Sequence, residues 1–306
     1  MHLRAYLDLA IGMVSLGFSA VFVRWADAPG AVTSFYRMAV AVAFLAWPFF
    51  RRARAAGGLA RRGLTFAFLG GLFFAADLAL WATGVVMSGA TNPTLLANTA
   101  PLWVGLGALV LLRERLRIGF WAGLALAMGG AALILSFDSL EAMELGLGSF
   151  LGLLAGVFYG GYFLLTQRGR ETLDSLTYFW PAALTSTIAL FVACLALRQP
   201  LLGYPLRTYL NFLALGIVSQ VIGYLAINDA LGRLPASVVS PTLLGQPVVT
   251  ALLAGPLLGE QLGRWEIIGG LAVLAGIYLV HRSRSTDRGE HRLGPPPRVH
   301  SKKVGS

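Results

Sequence analysis

Charge is scarce in this chain: 12% of its 306 residues are charged, about half the proportion usual in a soluble domain. Cysteine is almost absent. Cys194 stands alone, which excludes an intrachain disulfide and a CxxC centre and leaves it as a small apolar packing residue. The four histidines, His2, His281, His291 and His300, lie at or beyond the ends of the apolar segments. That placement argues against a His-dependent intramembrane hydrolase, and no HExxH pair offers a metal site. A GxxxxGK[ST] loop is missing, so ATP does not drive the chain directly. A TVGYG-like filter and a voltage-sensing arginine repeat are missing as well. From these absences no enzyme activity, no cofactor and no metal is expected.

What the chain has instead is apolar length. Hydrophobic residues make up 57% of it, with mean hydropathy +0.71. Thirty-seven glycines suit helices that approach closely in lipid. About 20 apolar residues cross a bilayer, and ten segments qualify: 5–25, 31–50, 64–87, 91–112, 117–137, 145–167, 176–197, 208–230, 237–258 and 265–281. The first lacks a small-residue cleavage site and reads as a retained helix rather than a signal peptide. The net charge of +10 sits in the loops, where it sets topology; a nucleic-acid partner is not expected. With a cytoplasmic N-terminus, nineteen Lys and Arg fall inside, among them Arg51, Arg52, Arg113, Arg170 and Arg233. Only Arg24, Arg198, Arg207 and Arg264 fall outside, together with the acidic loop SFDSLEAMELG. Both termini are therefore expected in the cytoplasm.

The chain also repeats itself. Residues 90–135 recur without a gap as 236–281, a shift of 146 that lays Pro101 on Pro247, Glu114 on Glu260, Gly123 on Gly269 and Gly130 on Gly276. The match is looser between GMVSLGFSAVF of the first span and GVFYGGYFLL of the sixth, and between TSFYR and LTYFW at the starts of the second and seventh. Ten spans thus divide into two sets of five: residues 1–141 and 142–283. Because five is odd, the second set enters the membrane in the opposite sense. The expected fold is all-α and integral to the membrane, two inverted five-helix repeats around a central cavity. Residues 284–306, polar, basic and proline-containing, read as a disordered cytoplasmic tail.

Two copies of Leu-Leu-x-Glu-x-Leu, at 111–116 and 257–262, each followed by a glycine-spaced apolar run, resemble the signature of the drug/metabolite transporter superfamily. The resemblance covers about residues 5–283 and is to the ten-helix branch with two EamA-type domains. In overall texture the chain is most similar to the YddG-type aromatic amino-acid exporters. The resemblance implies a small-solute exporter of the bacterial cytoplasmic membrane with a cavity between its repeats.

Candidate site residues come from polar and aromatic groups placed where lipid would penalise them. Arg37 sits about 9 Å below the outer end of its span at 1.5 Å per residue. It either binds a substrate carboxylate, or snorkels, or pairs with an acid. Asp77, at similar depth, either pairs with Arg37, binds a ligand's ammonium, or carries a coupling proton. Asn98 on the fourth span and Gln246 on the ninth lie beside Pro101 and Pro247, the expected hinges. A mid-span proline frees a backbone carbonyl, and broken helices at matching places in two halves point to a transport site. Trp81, Tyr159, Tyr162, Trp180 and Tyr224 are expected to line the cavity wall and Gln220 and Asn228 to face it; the alternative for the aromatics is an interfacial belt. Glu114 and Glu260, though repeated, lie at helix ends and read as structural, favouring the next N-terminus or pairing with arginine.

These observations favour a secondary transporter that exports small amphipathic metabolites, amino acids and their analogues among them, by alternating access, acting as a monomer. Flux down the solute's own gradient fits the few mid-membrane acids slightly better than proton coupling. An intramembrane enzyme or lipid-handling protein is the alternative, but the sequence offers no catalytic pair for it.

Overall fold

The computed structural model describes residues 2–88, 91–136, 146–258 and 263–292. All regular elements among them are helical: α1 His2–Ala26, α2 Gly30–Ala55, α3 Arg61–Ser88, α4 Thr91–Ala97, α5 Ala100–Leu111, α6 Ile118–Ser136 and α7 Leu147–Gly169, then α8 Ser175–Ala196, α9 Leu206–Ala214, a π segment Leu215–Tyr224, α10 Leu225–Leu231, α11 Ala236–Thr242, a 3₁₀ turn Leu243–Gly245, α12 Gln246–Leu258 and α13 Arg264–Arg292. Among the described residues ten stretches are long and apolar enough to cross a membrane. Three are composite: α4 with α5, α9 with the π segment and α10, and α11 with the turn and α12. The last helix runs on through Arg292, into the segment read from sequence as a disordered tail. The acidic loop 137–145, Glu260 and residues 293–306 lie outside the described residues.

Local chemistry explains where these helices start and break. Pro29, Pro205 and Pro235 stand at the N-caps of α2, α9 and α11, where the missing N–H costs nothing. Asp174 caps α8 with its side chain, which accepts from the Thr177 N–H at 3.0 Å. Pro101 and Pro247 occupy the second position of α5 and α12. A proline cannot donate to the carbonyl four residues back and its ring crowds that carbonyl. The helix before each must therefore end near residue 97 or 243, and it does: α4 stops at Ala97, and the 3₁₀ turn begins at Leu243. The two breaks fall at matching places of the repeat.

Packing obeys the same twofold relation. Exchanging each span with the one five later turns the α3–α7 contact into that of the composite eighth span with α1, and both are present. The pairs α2–α8 and α6–α13 map onto themselves and are present too. Between α6 and α13 the axis is visible residue by residue. A Cβ on Gly123 would lie 2.8 Å from the Gly276 carbonyl oxygen, and one on Gly130 2.5 Å from that of Gly269. Gly123 and Gly130 are the repeat equivalents of Gly269 and Gly276, so these crossed pairs require the two helices to run antiparallel. Along α7 a glycine ladder seats the broken fourth span: Gly152 against Pro93, Gly156 against Leu96 and Ala97, Gly160 against Ala100 and Trp103.

The large apolar side chains that remain exposed, such as Trp47 at 68% and Val110 at 76%, are on the faces a bilayer would cover. One end of the bundle collects ion pairs: Asp8, Asp229, Arg170 and Arg233 form a linked set, Arg52 meets Asp174, and Arg284 meets Glu114. We call it the basic end. At the opposite end Thr208 donates to the Ala26 carbonyl at 2.7 Å and Asn211 to that of Trp25 at 3.2 Å, closing α9 onto α1.

Candidate functional site

Midway between the two ends, four helical elements bring polar and aromatic side chains together. The buried stripe of α2, Ala31, Val32, Ser34, Arg37, Met38, Ala41 and Leu45, follows the three- and four-residue spacing of a helix face turned to the core. It carries Arg37 inward, 9% exposed. The side chain therefore does not snorkel, and its partner is not an acid. Gln220 of the π segment, fully buried, turns its side-chain oxygen to the guanidinium and accepts from Nε and from Nη2 at 2.6 Å. The reverse orientation would set two donors face to face.

Asp77 lies on the buried face of α3 with 7% exposure. Of the three alternatives for Asp77, the ion pair with Arg37 is not formed at contact distance. Among the described residues Asp77 accepts no hydrogen bond and makes no ion pair within 4.0 Å. The Arg37 guanidinium and the Asp77 carboxyl both lie near the hydroxyls of Tyr159 and Tyr224. These hydroxyls share a hydrogen bond of 3.0 Å between α7 and the end of the π segment.

Behind this polar group stands an aromatic wall. Phe74, one turn before Asp77 on α3, stacks on Tyr162 at 4.6 Å between centroids and meets Tyr224 at 4.9 Å and Tyr159 at 6.2 Å. Tyr162 is fully buried and accepts from Asn228 Nδ2 at 3.4 Å, which also donates to the Tyr224 carbonyl at 2.7 Å. Asn228 Oδ1 is buried with no partner among the described residues. The site reading from sequence omitted Phe74, whereas it had Asn228 as a residue that could face the cavity. For Phe74 the signal was its spacing of three from Asp77.

Arg37, Asp77, Tyr159, Tyr162, Gln220 and Tyr224 thus come together as one group. Trp81 and Trp180 do not join it. The Trp81 indole donates to Thr94 Oγ1 at 2.9 Å and joins α3 to α4. Trp180 stacks on Phe49 at 4.2 Å and donates to the Val42 carbonyl at 3.0 Å, wedging α8 against α2 toward the basic end. A buried indole needs an acceptor for its N–H, and each finds one in its own interface. Asn98 spends its amide on the Thr94 carbonyl at 2.9 Å, inside the break of the fourth span. Gln246 opens α12 half-buried. Pro101 and Pro247 are both buried at the breaks.

The arrangement holds opposite charges apart in a low-dielectric interior, beside hydroxyls and aromatic faces. It can bind a small ligand that carries a cation, an anion and an apolar body. Nothing in it resembles a nucleophile with an adjacent base.

Comparison with known proteins bears on the fold and the family. A solved crystal structure superimposes with a TM-score of 0.75, covering 92% of this chain and 98% of its own, at 17% identity; that likeness shows the fold. A "Probable amino-acid metabolite efflux pump" of Salmonella typhimurium is 31% identical over 188 residues, 58% of this chain and 62% of the pump. The match therefore spans less than two thirds of the pump's length. An "Uncharacterized transporter" of Archaeoglobus fulgidus is 28% identical over 290 residues, 91% of this chain and 98% of its own. A "Probable terminal-alkyne amino-acid exporter" of Streptantibioticus cattleyicolor is 27% identical over 199 residues, 65% of this chain and 66% of its own. The model of the EamA-like transporter family matches twice, over residues 3–136 and 146–282. The chain belongs to the EamA-like transporter family.

Proposed function

We propose that this transporter exports amino acids and similar small amphipathic metabolites across the bacterial cytoplasmic membrane, with both termini in the cytoplasm. The observation that carries the reading is the separated pair of buried charges. Asp77 is a carboxylate without a contact partner, and Arg37 rests on a neutral amide instead of an acid. Leaving both charges unneutralised in a membrane interior is costly, and a ligand with an ammonium and a carboxylate would relieve both at once. Phe74, Tyr159 and Tyr224 would then hold the ligand's apolar part. The names of the Salmonella and Streptantibioticus relatives point to the same substrate class.

Alternating access is supported by how the two broken spans pack. Their halves nearer the basic end, α5 and α11, lie against each other, while α4 packs on α3, α6 and α7 and α12 on α1, α6 and α13. We read this as a state closed toward the basic end, and we take that end as cytoplasmic because of its flanking arginines. Reversal of that divergence at the breaks before Pro101 and Pro247 would open the opposite route.

Counterflow in proteoliposomes tests the function. Vesicles preloaded with unlabelled L-phenylalanine should accumulate labelled L-phenylalanine, and Arg37→Ala and Asp77→Asn should each reduce the uptake by about tenfold or more, the loss of one charge-assisted contact. Absence of counterflow with phenylalanine and every other amino acid tried would end the amino-acid reading. Full activity of both variants would move the site elsewhere.

A further inference from the structure

We propose that Gln220 is a positioning residue that sets the charge specificity of the site, by holding one edge of the Arg37 guanidinium so that the rest of it demands an anion. This rests on the reading of the Arg37–Asp77 region as the substrate site. Arginine offers five N–H donors in a planar fork. Gln220 accepts from Nε and Nη2, so the side-on edge is occupied. The two protons of Nη1 and the second proton of Nη2 remain, and they form the end-on edge that a carboxylate can take in bidentate fashion. A neutral amide holds the guanidinium without cancelling its charge. A glutamate at the same place would neutralise it.

The position of Gln220 is itself fixed from two sides. Gly216, one turn earlier in the π segment, lets that segment approach α2: a Cβ there would lie 3.1 Å from the Arg37 carbonyl oxygen and press into Val40. On the other side, Ser219 donates to the Ser15 carbonyl of α1 at 3.3 Å. The π segment ends at Tyr224, whose hydroxyl meets Tyr159. Turns of this wide kind are rare and gather at functional sites. Here the segment sets Gln220 against Arg37 and Tyr224 against Tyr159 within one short stretch.

The test compares L-phenylalanine with L-phenylalaninamide, which keeps the ammonium and the ring but lacks the anion, by calorimetric titration of the purified full-length protein at pH 7. The wild type should bind the amino acid tighter than its amide by about tenfold or more, the worth of a charge-assisted bidentate contact. Gln220→Glu should bring that ratio toward one by weakening phenylalanine alone, with the amide's affinity kept. Gln220→Met, which keeps the length and removes the acceptor, should also lower the ratio, because the guanidinium is no longer held. Thermal unfolding identifies which variants are folded, and the result is read from those. A folded Gln220→Glu or Gln220→Met that keeps the wild-type ratio overturns the inference and leaves the amino-acid site standing. A wild type that binds neither compound overturns the site reading and this inference together.

Discussion

Glu114 and Arg284 lie 170 positions apart in the chain and form one ion pair at the basic end, between Oε2 and Nη2. Ser237 completes the set: its hydroxyl donates to Glu114 Oε2 at 2.6 Å and accepts from Arg284 Nη2 at 2.8 Å. Arg113 supplies the turn that makes this possible. Its φ of 53° reverses the chain after α5, and the Glu114 N–H closes back on the Ala108 carbonyl at 2.9 Å, one residue farther than in the usual helix-ending motif with a left-handed residue. The result ties α5 to the start of α11 and the far part of α13, which are the elements that meet where the bundle is closed.

If that triad holds the basic end shut, Glu114→Gln should loosen it while keeping the shape of the side chain. Both partners are mostly buried, at 14% and 16% exposure, and removing one charge from a buried pair costs about 3–5 kcal/mol. A cysteine at Ser240, placed in a Cys194→Ala background, reports the opening. Its labelling by an impermeant maleimide from the basic face should speed up by about tenfold or more in the variant, since each decade needs only about 1.4 kcal/mol. Unchanged labelling would show that the triad is a passive end-cap.

Adjacent glycines on α6 give a sharp test of the helix crossing. A Cβ on Gly130 would meet the Gly269 carbonyl oxygen at 2.5 Å and the Val273 nitrogen at 2.7 Å, whereas one on Gly129 meets nothing within 4 Å. Gly130→Ala should therefore destabilise the protein by about 1–3 kcal/mol through overpacking against backbone. Gly129→Ala should be neutral or stabilising by up to about 1 kcal/mol, because alanine is the better helix former. Thermal unfolding of the purified variants measures both, and equal midpoints would contradict the close approach of α6 and α13.

The repeat and the ten spans could be read from the chain because each rests on a short-range rule: an apolar run of bilayer length, or a proline that stops the helix before it. Arg37 and Asp77 were legible for the same reason, as charges where lipid forbids them. Their partners were not. Arg37 meets Gln220 from the other repeat, and the π segment, with bonds reaching five residues back, shifts its side chains away from the 3.6-residue period by which facing residues are judged. Trp81 and Trp180 were open to two readings because an aromatic in mid-span can wall a cavity or rivet two helices. The choice depends on an acceptor, Thr94 Oγ1 or the Val42 carbonyl, that no local pattern reveals. The partner of Glu114 was hidden likewise, since three arginines stand nearer in sequence than Arg284.

Tyr159 and Tyr224 make a single hydrogen bond between their hydroxyls at 3.0 Å, so removing either hydroxyl removes the same interaction. Tyr159→Phe and Tyr224→Phe should each change stability or ligand affinity by about 0.5–1.5 kcal/mol. The double variant should be no worse than the more damaged single one, a coupling that a double-mutant cycle reads directly. Additive losses would mean that each hydroxyl has a separate partner when ligand is bound.

Asp174 lies between two spans, caps α8 and receives Arg52 Nε at 2.6 Å. Burial alone would push its carboxyl up. The Arg52 hydrogen bond, the Thr177 N–H and the attraction of the guanidinium outweigh that and hold it below its ordinary value of 3.8. A carboxyl depressed in the folded state adds stability above its unfolded pKa, and that stability is lost as pH falls through the folded value. The window therefore lies below about pH 4. Asp174→Asn removes the titrating group and keeps a side chain able to cap. Thermal midpoints taken between pH 6 and pH 3 should show the wild type ahead of the variant at the upper end, with the gap closing below about pH 4. The gap should be small even at pH 6, because the Arg52 side chain is 62% exposed and solvent screens such a pair. A gap that stays constant down to pH 3 would mean that the carboxyl titrates alike in both states and that its role is geometric, through the cap alone.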